Sequence, residues 1–519
     1  MNGKSLALFL LLGGCAGISP HGVDSAPHWS AGQAPAGPAL AAVRNAQARA
    51  AQVDGPLHAI IAFDPSAEAQ AATLDTASGS GSLHGKPVLL KDNIEAAGAL
   101  PTTAGSLALK DNVTGRDAPL VAKLRAAGAV ILGKANLSEW ANIRSTKSIS
   151  GWSAIGGQTR NPYALDRNTC GSSSGSGAAV AAGIVDYAIG TETDGSVTCP
   201  ASMNGIVGLK PTVGLVSRTR IVPISASQDT AGPMTRTVLQ AAELLNAIAG
   251  SDPADPATKE ADARKVDYVA ALQGASLKGK RLGVMRFASG FGTDPLLEQA
   301  IALLKREGAT IVGIKDFDDK GMGEAELAVL LTELKAGMNA YLATTPATVQ
   351  TRTLADLIAF NKARAAEEMG LFGQELFEQA EKTKGLDDPA YKKARALSLR
   401  KAGAEGIDRM VREHKLDALI GPTYPAAWLI DPVHGDQVPG SGGGSLAAIA
   451  GYPHLTVPMG LVKGLPVGLS FIGPRWSDAK MLAMGAAFEA ARGPFPAPRF
   501  LPSVDAAPEL APLLDPVKR

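Results

Sequence analysis

Short apolar runs alternate with stretches of helical periodicity along the first half of the chain. The apolar runs have the length and the leucine and β-branched content of buried strands, and they occupy residues 57–63, 85–91, 129–132 and 187–189. The helical stretches occupy residues 38–51, 66–74, 117–128, 178–184 and 238–248. This alternation predicts an α/β fold in which a central sheet is covered by helices on both faces.

The second half of the chain follows a proline-rich break at residues 251–256. Strands are predicted at residues 281–285, 310–314 and 418–420, and a hairpin is predicted from residues 455–458 and 468–472. Charged amphipathic helices dominate between them, most clearly at residues 323–343 and 389–414. We therefore expect residues 253–415 to form a more variable helical subregion, which either faces the substrate or serves as scaffold.

The charge balance excludes one class of partner. The 519 residues include 50 Lys and Arg against 49 Asp and Glu, and only 5% of the residues are aromatic. Nucleic-acid-binding proteins normally carry a basic excess or patch, and those that bind single strands present aromatic stacking surfaces. We therefore expect no nucleic-acid partner, whereas the oligomeric state stays open.

The N-terminus has the pattern of an export signal. Lys4 precedes an apolar run at residues 5–12, and small residues and Cys15 follow it. Residues 1–15 are predicted to be a signal peptide, too short to span a bilayer as a helix. Residues 12–15 resemble a bacterial lipobox, in which the cysteine becomes lipid-modified; the alternative is an ordinary cleaved signal. Residues 16–36 are predicted to be a flexible tether, so we expect an exported protein, periplasmic or anchored to the membrane through a lipid at Cys15.

Three segments carry candidate chemistry. Lys91 ends the predicted strand of residues 85–91, a glycine–serine loop spans residues 170–177, and a second glycine-bounded segment spans residues 190–200. A serine hydroxyl needs a neighbouring base to act as a nucleophile at neutral pH. A lysine can be that base only when it is neutral, and burial at the end of an apolar strand lowers its pKa. Serine–lysine pairs are a known variant of the serine–histidine–aspartate triad.

Taken together, these segments resemble the amidase-signature family. The match includes the 24-residue spacing between Ser172 and Ser196, and it continues at residues 133–136, 156–162, 205–212 and 229–234. Residues 170–174 and 191–196 look most like the peptide-amidase branch. The resemblance implies the amidase-signature fold, with a mixed twisted central sheet, in an amidase domain of residues 37–502. Residues 503–519 would then form a C-terminal tail.

The resemblance also implies a role for each residue of the pattern. Ser196 would be the nucleophile, Ser172 the serine that relays its proton, and Lys91 the terminal base. Gly171 and Ser173 would support them, with the Gly171–Ser172 peptide bond in the cis form. The backbone N–H groups of an oxyanion hole would come from Thr193, Asp194, Gly195 and Ser196. The reaction would be hydrolysis of a carboxamide to a carboxylate and ammonia through an acyl-enzyme, with no metal and no organic cofactor.

Three details stay open. The branch resemblance favours peptide C-terminal amides as substrates, ahead of free aliphatic or aryl amides. Thr198 stands where many family members carry arginine, which puts an ion pair behind the nucleophile in doubt. Cys170 and Cys199 flank the two serines, and an oxidising compartment would permit a disulfide bond between them.

Three rival interpretations remain. Residues 171–175 also fit the Gly-x-Ser-x-Gly elbow of α/β-hydrolases, with Ser173 as nucleophile and His434 or His454 as base, but the elbow needs a preceding strand and residues 161–168 are a poor one. A glutaminase of the glutamyl-tRNA amidotransferase kind shares the signature but works in the cytoplasm with partner subunits, which the export signal disfavours. A non-catalytic amide-binding lipoprotein is disfavoured by the intact Lys91, Ser172 and Ser196.

Overall fold

The computed structural model describes residues 37–77, 79 and 81–514. The predicted signal peptide with Cys15, the predicted tether and residues 515–519 of the predicted tail lie outside the described residues. Within the described ranges, no helix is long and apolar enough to cross a membrane.

Strands and helices alternate along most of the described chain. The strands are Ile60–Phe63 (β1), Pro87–Lys91 (β2), Val130–Ala135 (β3), Trp152–Ser153 (β4), Gly157–Gln158 (β5), Tyr187–Glu192 (β6), Val207–Lys210 (β7), Thr230–Thr235 (β8), Arg281–Met285 (β9), Thr310–Ile314 (β10), Ala418–Pro422 (β11), His454–Val462 (β12) and Leu465–Ile472 (β13). The helices are Pro38–Leu57 (α1), Ala67–Thr76 (α2), Pro119–Ala126 (α3), Ser174–Ala181 (α4), Thr198–Met203 (α5), Val238–Ile248 (α6), Ala261–Arg264 (α7), Asp294–Arg306 (α8), Met322–Leu342 (α9), Leu354–Ala363 (α10), Ala365–Glu368 (α11), Glu375–Glu381 (α12), Pro389–Leu399 (α13), Asp408–His414 (α14), Gly444–Ala450 (α15), Asp478–Arg492 (α16) and Ala511–Leu514 (α17).

Eleven of these strands form one mixed sheet, in the order β1-β3-β2-β6-β8-β7-β12-β13-β11-β9-β10. Strand β2 lies parallel to both of its neighbours, β3 and β6. From β6 to β11 the neighbours are antiparallel, and β11, β9 and β10 are parallel again. The predicted mixed sheet is confirmed, and so is the predicted hairpin, which is β12 and β13.

Each face of the sheet carries its own apolar core. Val88 and Leu90 of β2 pack into one core with residues of α3, α6 and α16. Leu89, between them, packs into the opposite core with residues of α1 and α4. Because side chains alternate across a strand, Lys91 falls on the same face as Leu89, towards α4. This alternation is what aims the lysine at the glycine–serine loop that precedes α4.

The predicted helical subregion is only partly helical. Its first part contributes β9 and β10 to the edge of the central sheet, and helices dominate only from Met322 onwards. The helix predicted at residues 389–414 is interrupted by a π-helical stretch at residues 400–407, which joins α13 to α14. Helices α9, α10 and α12 share an apolar core with Trp140 and Ile224, which belong to loops next to the sheet. The helical part is thereby packed against the loops that surround the candidate site.

Candidate active site

Lys91 is the last residue of β2 and is fully buried. Its Nζ atom lies 2.7 Å from Ser172 Oγ. The same nitrogen also lies 2.9 Å from Thr191 Oγ1 and 3.2 Å from the Thr191 carbonyl oxygen. Asn93 donates a further hydrogen bond to Thr191 Oγ1, at 3.0 Å. The hydrogen bonds to Thr191 therefore hold the lysine in one orientation, with its Nζ atom against the Ser172 hydroxyl.

Burial lowers the pKa of Lys91 to about 7, although the carboxylates of Asp229 and Glu192 oppose that shift. A lysine with this pKa is substantially neutral near pH 7, which is the state that a general base requires. Asp92, the next residue, does not orient it. Its carboxylate lies 3.3 Å from Lys134 Nζ and accepts hydrogen bonds from Thr103.

Ser172 and Ser173 lie in the loop that leads into α4. The peptide bond between Gly171 and Ser172 is cis. The Ser173 hydroxyl donates to the Thr191 carbonyl oxygen and accepts from the Thr191 N–H, both at 3.1 Å. The Ser173 N–H donates to the Ser196 carbonyl oxygen, also at 3.1 Å. Ser173 thus fastens the glycine–serine loop to β6 and to the segment that carries Ser196.

Ser196 lies between the end of β6 and the start of α5, on the wall of a cleft. Before it, Gly195 has φ of +81°, and a Cβ atom there would collide with the Tyr424 hydroxyl. Only glycine meets both constraints without strain. Among the described residues, no acceptor is bonded to the backbone N–H groups of Asp194, Gly195 and Ser196. Consecutive free N–H groups of this kind can bind a developing oxyanion.

Glu192 anchors the far side of this segment. Its buried carboxylate accepts from the N–H groups of Val197 at 2.8 Å and Thr198 at 2.9 Å. The Thr198 hydroxyl adds a third hydrogen bond at 3.2 Å. Thr198, at the position where the sequence left an ion pair in doubt, therefore contacts Glu192 through its backbone N–H and its uncharged hydroxyl. Two buried lysines face Glu192: Lys91, and Lys210 of β7, whose pKa burial lowers to about 8 while Glu192 opposes the shift.

The cleft that reaches Ser196 has a volume of about 280 Å³, and its wall is mixed, with somewhat more apolar than polar surface. Apolar side chains of its wall are Ile143, Ile224, Leu330, Trp428 and Val438. No lysine or arginine is among the described residues that line it, and its acidic residues are Asp194 and Asp436. The Asp436 carboxylate is already bonded to Ser150 and Trp428. The cleft therefore favours neutral and apolar groups over anions.

A disulfide bond joins Cys170 and Cys199, the pair that the sequence left open. Both cysteines line the cleft. Cys170 lies two residues before Ser172, and Cys199 lies three residues after Ser196. The bond therefore ties together the two segments that carry the candidate serines.

The nucleophile-elbow interpretation is wrong. No strand of the described chain precedes Ser173 directly, and the Ser173 hydroxyl is bonded to Thr191. His454 Nε2 is bonded to Ser470 Oγ within the β12–β13 hairpin, and burial lowers its pKa to about 3. His434 is exposed and contacts Asp431. Neither histidine has Ser173 as its partner.

Three residues beside the site were not predicted: Thr191, Tyr424 and Glu326. Thr191 lies inside a matched motif, so its support of Lys91 had a sequence signal. Tyr424 follows β11 and Glu326 lies on α9, and no local pattern places either residue near Ser196. Over the described ranges, no group of three or more His, Cys, Asp or Glu side chains is placed to hold a metal ion.

The mixed sheet covered by helices places the chain in the α/β class, and in the described residues a buried lysine contacts the serine loop that precedes α4. The chain belongs to the amidase family, whose model, described as Amidase, matches residues 41–482. It is an amidase, an enzyme that hydrolyses the carbon–nitrogen bond of an amide. The family predicted from the sequence is confirmed.

The chain is similar to proteins named as amidases and to a subunit of an amidotransferase. The chain is 50% identical to the native peptide amidase of Stenotrophomonas maltophilia, with a TM-score of 0.84 over 89% of this chain and 95% of that one. It is 43% identical over 451 residues to a probable amidase of Arabidopsis thaliana, covering 84% of this chain and 83% of the relative. It is 38% identical over 476 residues to one subunit of the glutamyl-tRNA(Gln) amidotransferase of Acidothermus cellulolyticus, covering 85% of this chain and 89% of the relative.

Proposed function

We propose that this amidase cleaves carboxamides with Ser196 as nucleophile, Ser172 as proton relay and Lys91 as base. The observation that carries the proposal is the 2.7 Å contact between Ser172 Oγ and the Nζ atom of a fully buried lysine. The 3.1 Å bond from the Ser173 N–H to the Ser196 carbonyl oxygen supports it, because this bond keeps the two serine segments together.

In the first half of the reaction, neutral Lys91 accepts the Ser172 proton while Ser172 accepts the Ser196 proton. Ser196 Oγ bonds to the amide carbon, and the N–H groups of Asp194, Gly195 and Ser196 hold the resulting oxyanion. The proton then passes back through Ser172 to the amide nitrogen, the C–N bond breaks, and ammonia leaves. In the second half, water attacks the acyl-enzyme, its proton returns to Ser196 by the same relay, and the carboxylate departs.

The rate of this reaction should rise with pH through the pKa of Lys91. Because that pKa is lowered to about 7, the fraction of neutral lysine, and with it kcat/KM, should increase about tenfold per pH unit below neutrality and level off near pH 7. The measurement is kcat/KM for a substrate without titratable groups, such as acetyl-leucine amide. A profile that is flat between about pH 5 and pH 7, on protein whose circular dichroism is unchanged, would exclude Lys91 as the base.

We propose peptide C-terminal amides with apolar last residues as the substrate class. The apolar side chains of the cleft wall support this choice, and so does the 50% identity to a peptide amidase. Free glutamine carries an α-carboxylate close to its amide, and burying a carboxylate without a cation is costly. Because the described residues of the cleft wall include no lysine or arginine, glutamine should be a poor substrate.

Ammonia release from a matched panel of amides tests the substrate class. Acetyl-leucine amide and acetyl-phenylalanine amide should have kcat/KM values at least about tenfold above acetyl-aspartate amide, because an unpaired carboxylate in the cleft costs more than about 1.4 kcal/mol. Glutamine and benzamide complete the panel. Preference for glutamine would support the glutaminase alternative, and preference for benzamide would point to aryl amides.

A further inference from the structure

Two carboxyl groups meet beside the segment that carries Ser196. Asp194 lies two residues before Ser196 and lines the cleft. Its carboxyl group lies against that of Glu326, which is on the first turns of α9 in the helical subregion, and beside the Ser445 hydroxyl. Asp194 Oδ1 is buried, and no N–H or O–H group in the described chain donates to it. A hydrogen bond between two carboxyl groups needs a proton that one of them carries.

Glu326 of α9 is also connected to Thr193, the residue before Asp194. The Gln228 side-chain nitrogen donates to Glu326 Oε1 at 2.8 Å and to the Thr193 carbonyl oxygen at 3.3 Å. Helix α9 is thus connected to two successive residues of the oxyanion segment, to Thr193 through Gln228 and to Asp194 through Glu326. The peptide N–H groups next to these contacts are the ones assigned to the oxyanion.

The surroundings favour one retained proton. Burial, followed by the neighbouring Asp194, raises the pKa of Glu326 to about 8, and burial raises the pKa of Asp194 to about 6. The titratable groups that face the pair are Glu192 at the end of β6, Lys210 of β7 and Tyr424 after β11. Of these three groups, only Lys210 is a cation. Two adjacent carboxylates cannot both ionise without mutual repulsion, so the pair shares a proton at neutral pH.

We propose that Glu326 is a positioning residue of this amidase, which holds the oxyanion segment in place through a proton shared with Asp194 and through Gln228. The proposal rests on the proposed function, since it assigns the held N–H groups to the oxyanion. It makes the helical subregion part of the machinery that sets the rate, although Glu326 itself need not touch the substrate.

The proposal predicts that kcat falls at alkaline pH. When the shared proton dissociates, the carboxylates repel each other and the segment between Thr193 and Ser196 is pushed out of place. Small displacements of oriented groups cost up to about a hundredfold in rate. Because the displaced N–H groups stabilise the oxyanion of the transition state more than the substrate in its ground state, the loss should fall on kcat more than on KM.

The pH profiles of two Glu326 variants test the proposal. In Glu326→Gln the amide donates to Asp194 at every pH and can still accept from Gln228. We expect kcat near the wild-type value at pH 7, and an alkaline decline that moves upward by at least about one pH unit or disappears. In Glu326→Ala both contacts are lost, and we expect kcat to fall about tenfold or more at all pH values, with KM changed less. Glu324, exposed one half-turn away on α9, supplies the matched controls Glu324→Gln and Glu324→Ala, which should behave like wild type.

The outcomes separate this proposal from the proposed function. An alkaline decline that is identical in wild type and Glu326→Gln would overturn the role of Glu326, while leaving Lys91 and Ser196 untouched. Activity that survives in Lys91→Met or Ser196→Ala would instead overturn the proposed function. A lowered Tm would show that Glu326→Ala is destabilised. In that case the pH profile of Glu326→Gln alone tests the role of Glu326.

Discussion

Replacing Lys91 with methionine should lower kcat/KM for peptide amides by at least about 10⁴-fold, the scale of loss when one member of a nucleophile–base unit is removed. Methionine fills the buried volume of the lysine stem but can neither accept a proton from Ser172 nor bond to Thr191. Ser196→Ala should cause a comparable loss, because residues that act as a unit give losses that do not add. The double variant should therefore be about as inactive as either single variant.

Two controls distinguish a catalytic effect of Lys91→Met from a general loss of structure: the Tm of the variant, and the matched variant Lys86→Met. Burying a methionine in place of an amine removes a desolvation cost, so the Tm of Lys91→Met should not fall below that of wild type. Lys86 lies exposed just before β2, and Lys86→Met should retain full activity. If Lys91→Met kept more than about a tenth of the wild-type kcat/KM, a relay that ends at this lysine would be untenable.

Loss of the Cys170–Cys199 bond should lower the free energy of unfolding by about 3–4 kcal/mol, as loop-closure entropy predicts for cysteines 29 residues apart. Activity should fall as well, because the bond links the segments that carry Ser172 and Ser196. The measurement is urea unfolding of wild type with and without dithiothreitol, together with kcat under the same conditions.

A double alanine variant provides the control for reduction. Cys170→Ala with Cys199→Ala should unfold at a lower urea concentration than oxidised wild type and should be insensitive to dithiothreitol. Both cysteine side chains are buried. Alanine is used rather than serine because it is apolar and leaves no unpaired hydroxyl group at these positions. Equal unfolding midpoints for oxidised and reduced wild type would show that the bond does not stabilise the fold.

Elements with strong contrast between apolar and polar positions were predictable to the residue. Helix α6 and strands β9 and β10 have the same bounds in the prediction and in the structure. In α6, apolar residues recur at helical spacing and are bounded by a threonine cap and a glycine-containing break. Short apolar runs next to polar turns mark β9 and β10 in the same way.

Strand β8 escaped prediction because its own residues disfavour a strand. Strand β8 contains Gly232 and Pro233, residue types that are depleted in strands. It forms because β6 and β7 lie on either side of it. A Cβ atom at position 232 would collide with the Leu209 carbonyl oxygen, so glycine is required there by a neighbour that is remote in the sequence.

The sequence by itself determined the α/β class, the burial of Lys91 and the identity of the serines that accompany it. Those properties follow from local composition and from a family pattern. Only the tertiary structure decided that Thr191 supports Lys91, that Cys170 pairs with Cys199, and that Glu326 reaches Asp194. The members of these three pairs lie 100, 29 and 132 positions apart in the sequence. A pattern along the chain does not show which residues that are remote in the sequence come into contact. Only the packing of β2, α4 and α9 around the end of β6 brings them together.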